Sequence, residues 1–234
     1  MAQFYTDFES FPSGPLPSEL SRVFDLANSL DIRARAFGQA LSFEANGYIT
    51  RGVILNAVGT SVDSEALVLL NYQDSPADPM AGVCLRLQED NTAYLIYVRL
   101  ASAVQRIEIR LADNTIIQTP FSNTNGLRYY VRARVTGSVD PLIQVKAWLY
   151  TDAEPAGWLL EHTDTTAGRI TTAGTMGWIS GSSGYGRRID FYMGGFGTDG
   201  DVAPIAAATA PTLSNIATSA ITATSADVSV DLVF

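Results

Sequence analysis

Residues 127–158, LRYYVRARVTGSVDPLIQVKAWLYTDAEPAGW, decide the fold. In the first half Leu127, Tyr129, Val131, Ala133 and Val135 alternate with Arg128, Tyr130, Arg132, Arg134 and Thr136. That two-residue period is the mark of a strand with one buried face. Gly137 and Pro141 then bound a turn, because glycine accepts positive φ and proline cannot extend a central strand. A second alternation sets Ile143, Val145, Ala147 and Leu149 against Gln144, Lys146, Trp148 and Tyr150. The stretch predicts a long antiparallel hairpin with one apolar face and one face of Arg, Lys and aromatic side chains.

Similar segments recur on both sides. Strands are expected at Phe4–Phe8, Tyr48–Leu55, Glu65–Tyr72, Ala81–Gln88, Ala93–Leu100, Val104–Leu111, Trp158–His162, Thr175–Ile179 and Arg188–Phe196. Polar turns rich in Pro, Asp and Asn separate them, as at 74–79 and 89–91. Residues 18–30 admit two readings. Ser18 can cap a helix with Leu20, Val23, Phe24 and Ala27 on one face, or a strand can start at Ser21 and lead into residues 31–37. Gly181-Ser182-Ser183-Gly184-Tyr185-Gly186 reads as a flexible loop with a central tyrosine. Many strands, 19 glycines and no sustained helical period predict an all-β antiparallel sandwich or jelly roll, longer than a seven-strand immunoglobulin domain.

The chain has 234 residues, 47% of them hydrophobic and 17% charged, enough apolar material for a large core. A net charge of −9 argues against a nucleic-acid partner, which calls for a basic face. No apolar run approaches the roughly 20 residues that cross a bilayer, so no membrane partner is expected and the chain reads as soluble. Arginine outnumbers lysine overwhelmingly, Lys146 standing alone, which reflects either genome composition or a use for planar carboxylate pairing. Cys84 is the one cysteine; its neighbours Val83, Leu85 and Leu87 predict a buried thiol, and the lack of disulfides suits a reducing compartment.

Composition shifts near Gly197. The expected organisation is one jelly-roll domain over 1–198, a linker over 199–212 and a β segment over 213–234. In that last segment Val228, Val230, Leu232 and Phe234 share one face, too little to form a core alone. An unpaired apolar edge invites aggregation, so this strand is expected either to begin a further module or to complete a sheet in a neighbouring subunit.

Chemistry is harder to place. A nucleophile elbow, a phosphate-binding loop and a His-Glu-x-x-His pair are all absent from the sequence, and one His with one Cys excludes the common zinc sites. Glu108 is flanked by arginines and reads as a salt-bridged surface group, so the expectation is a non-enzyme. No cofactor is expected beyond a structural calcium: Glu9 and Asp7 on the first strand approach Asp190 if the first and last strands pair, and Asp199-Gly200-Asp201 offers a second loop of oxygens. Trp148, Trp178 and Tyr185 are candidates for stacking a sugar ring or a partner.

The strand with Asp7-Phe8-Glu9, the hairpin from Tyr130 to Leu149, Glu154-Pro155-Ala156-Gly157-Trp158 and the closing Ile189–Gly200 together resemble the concanavalin A-like lectin/glucanase jelly rolls, the laminin-G-like group, as found in tailed-bacteriophage virion proteins. The resemblance covers roughly residues 1–200. It implies a virion protein assembled in the host cytoplasm, a component of capsid decoration or tail, bound to other virion proteins and to copies of itself through Val228, Val230, Leu232 and Phe234. The alternative it allows is adhesion to a host surface glycan. The Glu-x-Asp-x-x-Glu motif of laminarinase-like members is missing, which implies a non-catalytic member, and the family's calcium would fall near Glu9 and Asp190. The segment from Ala210 resembles the start of an immunoglobulin- or fibronectin-like module.

Overall fold

The hairpin forms where the alternation places it. Strands β11 (Arg128–Thr136) and β12 (Leu142–Leu149) pair antiparallel, with Val131 opposite Ala147 and Ala133 opposite Val145. The structure is a computed structural model, and it describes residues 3–23, 30–35, 38–73, 79–99, 105–112, 114–124 and 126–204. The expected linker beyond 204 and the segment 213–234, with Val228, Val230, Leu232 and Phe234, lie outside the described residues.

Two long strands join the layers. β5 (Gly38–Leu55) and β14 (Thr175–Thr198) pair antiparallel from Gly177–Ile54 to Phe191–Leu41. The first part of β14 also pairs with β7 (Pro79–Leu87), and its last part pairs with β6 (Ser64–Gln73). One strand pair therefore passes from one sheet into the other. In sheet I, β7 is followed outward by β8 (Tyr94–Arg99), β9 (Arg106–Leu111) and the edge strand β10 (Asn114–Pro120). On its other side β3 (Leu20–Arg22) pairs with the end of β5. Sheet II runs from β13 (Leu160–Thr163) through β12, β11, β6 and β14 to β5, β4 (Leu30–Arg35) and β2 (Gly14–Pro15). β1 (Gln3–Thr6) pairs with the end of β14, Phe4 opposite Phe196, so the first and last described strands do meet.

The inner faces supply one core. Val68, Leu70, Val131, Ala133 and Val145 of sheet II and Val83, Leu85, Ile96, Ile107 and Ile109 of sheet I are buried in a single cluster. Each of the Val, Leu and Ile side chains stabilises the fold by roughly 1.5–3 kcal/mol. Trp178 anchors the cluster. It is fully buried, with its ring 5.2 Å from Phe8 and 4.9 Å from Phe196 at a right angle. Gly194 makes the space, since a Cβ there would stand 2.3 Å from the indole.

Three expectations need correction. Residues 181–186 are not a loop but the middle of β14, which runs unbroken where two strands were expected. Residues 20–22 form β3 rather than the first turn of a helix; 24–29 lie outside the described residues. Asn114–Pro120 was not expected as a strand and is the edge of sheet I.

Candidate functional site

The outer face of the hairpin is closed by its own chemistry. Arg132 pairs with Glu65 on β6 and with Glu154 at 2.9 Å, and donates to the Ala203 carbonyl at 3.1 Å. Lys146 reaches the same Glu154 at 2.7 Å and the Pro155 carbonyl at 2.8 Å. Trp158 lies under both cations of the neighbouring row, 4.7 Å from the Arg134 guanidinium and 4.9 Å from the Lys146 ammonium. Residues 150–158 thus fold back over the hairpin, and residues 201–204 cross it from the end of β14. Gly195 and Gly197 permit that crossing, because Cβ atoms there would stand 2.0 Å from the Pro204 carbonyl oxygen and 2.1 Å from that of Asp201.

This arrangement revises the aromatic candidates. Trp148 does lie on the outer face, yet it is only 5% exposed, packed with Leu67, Leu69 and Tyr192 and stacked on Tyr130 at 5.2 Å. Trp178 belongs to the inner core. Neither offers a free ring to a ligand. Tyr185 lies on β14, and its side chain is outside the described part of the structure.

The calcium candidates are also occupied by the protein itself. Asp190 is buried and its carboxylate accepts from Arg35 at 3.1 Å, Arg188 at 3.0 Å and the Ser42 hydroxyl at 2.6 Å. Two guanidinium groups there do the neutralising that a cation would do. Glu9 accepts from the backbone N–H of Gln39 at 3.0 Å, and Asp7 from that of Glu9 at 3.1 Å. Asp199, at φ 56°, takes the Ser61 hydroxyl at 3.2 Å. Among the described residues no group of three or more His, Cys, Asp or Glu side chains converges.

Among the described residues, sheet I carries an open concavity. A groove of about 730 Å³ lies on its outer face, across the ends of β3, β5, β14 and β7. Val23, Ile54 and Leu87 make an apolar floor, and Thr60, Gln88, Glu89, Asp90, Asn91 and Thr175 make a polar rim. The rim is held in place. Asp90 accepts from the N–H and hydroxyl of Thr92 at 2.9 and 2.7 Å, and those hydrogen bonds hold its carboxyl below the usual carboxylate range. Asn91 takes a left-handed backbone at φ 66°, which closes the turn. Gln88 ties the turn to the opposite wall through the Ala173 carbonyl at 3.2 Å and the Thr172 hydroxyl at 2.9 Å. The sequence shows 88–91 only as a polar turn. Its floor comes from Val23, Ile54 and Leu87, each more than thirty positions from the next in the chain, so no local pattern announces the groove.

No protein-family model matches the chain, and no curated protein sequence does. Solved structures do match. The Lotus tetragonolobus seed lectin superposes with a TM-score of 0.55 at 8% identity, over 84% of this chain and 97% of that one. Basic winged bean lectin, solved with Tn-antigen, gives 0.56 at 10% identity over 83% of this chain and 98% of that one. The carbohydrate recognition domain of Emp46p, in its potassium-bound form, gives 0.55 at 7% over 79% and 90%. Identities this low show fold alone. The chain is an all-β protein of two antiparallel sheets with the concanavalin A-like lectin β-sandwich fold. None of these likenesses speaks to a phage origin.

Proposed function

We propose that the protein is a non-catalytic carbohydrate-binding module that takes its ligand in the groove on sheet I. The observation that carries this reading is the pairing of an apolar floor with a rim of carboxylate and amide groups. A sugar ring has the complementary surface: its C–H face packs on apolar side chains, and its hydroxyls donate to carboxylates and amides. Asp90, hydrogen-bonded by Thr92, and Asn91 supply acceptors on a turn whose geometry is already fixed. The lectins and recognition domains of the same fold support the class of ligand.

A glycan array with the whole chain tests the proposal, followed by affinity measurements on Ala173→Trp and Glu89→Ala. The Ala173 side chain lines the groove, and its backbone contact to Gln88 survives substitution. Specific binding that falls at least tenfold in Ala173→Trp is the expected result. An array with no specific signal sinks the function, and binding indifferent to both variants sinks the site.

A further inference from the structure

The charge around the groove on sheet I has one sign. Glu89 and Asp90 are its charged lining residues, and no Arg, Lys or His lines it among the described residues. The basic side chains nearest along the chain turn elsewhere. Arg22 alternates with Val23 and so shares the inward side of Leu20, whereas Val23 belongs to the outer cluster with Ile54 and Leu87. Arg86, beside Leu87, gives its guanidinium to the carbonyls of Val62, Ile170 and Gly137.

The rim divides into groups that are spent and groups that are not. The Gln88 amide is spent: its Nε2 donates to the Arg86 and Ala173 carbonyls at 2.9 and 3.2 Å, and its Oε1 accepts from the Thr172 hydroxyl at 2.9 Å. It braces the two walls and has nothing left for a ligand. Asp90 differs. Both donors from Thr92 fall on Oδ1, and Oδ2 accepts nothing from the described residues. The Glu89 carboxylate makes no hydrogen bond or ion pair with them either. Both residues are exposed, and a carboxylate offers about four acceptor sites. Consecutive Cα atoms stand about 3.8 Å apart, so both charges act on one substituent within a Debye length of about 8 Å.

We propose that the groove takes an amino sugar, with a protonated ring amine against Glu89 and Asp90 and the C–H face of the ring on Val23, Ile54 and Leu87. This rests on the groove reading and names its ligand class. A neutral ring seated on that floor strips water from two anions and returns no opposite charge, and an acidic ring adds repulsion. An ammonium group removes both penalties. It carries three N–H donors and no acceptor, the complement of carboxylates that only accept. The apolar floor and the amide and hydroxyl groups of Asn91, Thr60 and Thr175 suit the rest of a sugar ring better than a lysine side chain.

Two matched pairs of tetramers test the assignment: β-1,4-linked glucosamine with its N-acetylated form, and α-1,4-linked galactosamine with its N-acetylated form, titrated against the whole chain at low salt. At about pH 6 the sugar amine carries its proton, and at about pH 9 it does not, as for an amine that titrates near 8. At the lower pH the amine member of at least one pair is expected to bind about five- to tenfold tighter, because exposed ion pairs are individually weak and two act together. The preference should shrink in about 300 mM NaCl and vanish at the higher pH. Glu89→Gln and Asp90→Asn should each reduce it, and the double variant should bring the ratio to unity; the single variants decide if the double one fails to fold by circular dichroism. Asp152→Asn, which removes an exposed charge on the side of sheet II, controls for the net charge of −9 and should leave the ratio unchanged. Equal affinities within both pairs, no binding of any of the four tetramers, a preference that survives the rim variants, or one that falls as far in Asp152→Asn overturns the amino-sugar assignment. A lysine tetrapeptide bound as tightly as the amine tetramers overturns it in favour of a cationic peptide. N-acetylated tetramers that bind with no preference for the amine, and that Ala173→Trp shuts out, leave the groove standing and remove the charge assignment alone; an array with no specific signal sinks the groove itself.

Discussion

Arg86 is fully buried, at φ 52°, and its guanidinium clamps three loops at one end of the sandwich. It donates to the carbonyls of Val62 at 2.8 Å, Ile170 at 2.5 Å and Gly137 at 2.6 Å. Burial pulls its pKa down from the ordinary arginine value, and nearby Tyr94 and Asp63 oppose that. Replacing it with Met removes three charge-assisted hydrogen bonds, each about 1.5–3 kcal/mol, and strands three buried acceptors. Against this, a cation no longer has to be desolvated, which returns several kcal/mol. The balance is a loss of about 3–4 kcal/mol. For a domain of this size 1 kcal/mol moves Tm by about 2–4 °C, so Arg86→Met should melt roughly 6–16 °C below the wild type. Lysine keeps the charge but cannot reach three carbonyls at once, and Arg86→Lys should fall between. Thermal and urea unfolding read both variants. A Tm for Arg86→Met within 2 °C of the wild type would refute the clamp.

Three further expectations test other parts of the fold. Gly194→Ala drives a methyl into the Trp178 ring and should cost about 1–3 kcal/mol by overpacking, with a changed tryptophan emission spectrum; an unperturbed spectrum and Tm would count against the packing. Burial pushes the Cys84 thiol up to about 12, so a disulfide reagent at pH 8 should leave the native protein unmodified and react only on unfolding. Asp164 is buried, which alone would raise its pKa, but hydrogen bonds from Thr166 and Tyr94 and the charge of His162 outweigh burial and hold it below the usual carboxylate value. A depressed folded pKa gives stability that is present above the unfolded value near 4 and is lost as pH falls through the folded one. The stability gap between wild type and Asp164→Asn should therefore narrow as pH drops below about 4, and a constant gap would contradict it.

The sandwich was legible where apolar residues alternate without interruption. Val131, Ala133 and Val135 announce β11, and the run around Cys84 announces a buried strand. The pattern fails where a residue's environment is set by a distant partner. Trp178 follows Gly177 at a strand start and looks like a candidate platform; only Gly194, sixteen positions later on the same strand, gives its ring a place in the core. Glycine and serine at 181–184 resemble a loop, yet they continue β14, and the Met80 methyl and the Tyr97 ring lie against Gly181. Glu108 was readable as ion-paired from its flanking arginines. Its complete burial was not, because Arg99 arrives from the neighbouring strand.

The two outer faces differ in a way that bears on where a ligand goes. On sheet II the cations Arg132 and Lys146 meet the anions Glu65 and Glu154, two charges against two, and the cluster is roofed by 150–158 and 201–204. On sheet I the groove has an apolar floor and a polar rim. A roofed, hydrogen-bonded network offers a ligand no surface, whereas the groove on sheet I stands open. The hairpin that dominates the sequence is accordingly scaffold, and substitutions there should act on stability alone. Arg132→Met leaves Glu65 buried without its partner and should cost about 3–5 kcal/mol. If the groove holds the ligand, glycan affinity at a temperature where the variant remains folded should equal that of the wild type. A tenfold loss of affinity with an unchanged Tm would move the binding face to sheet II.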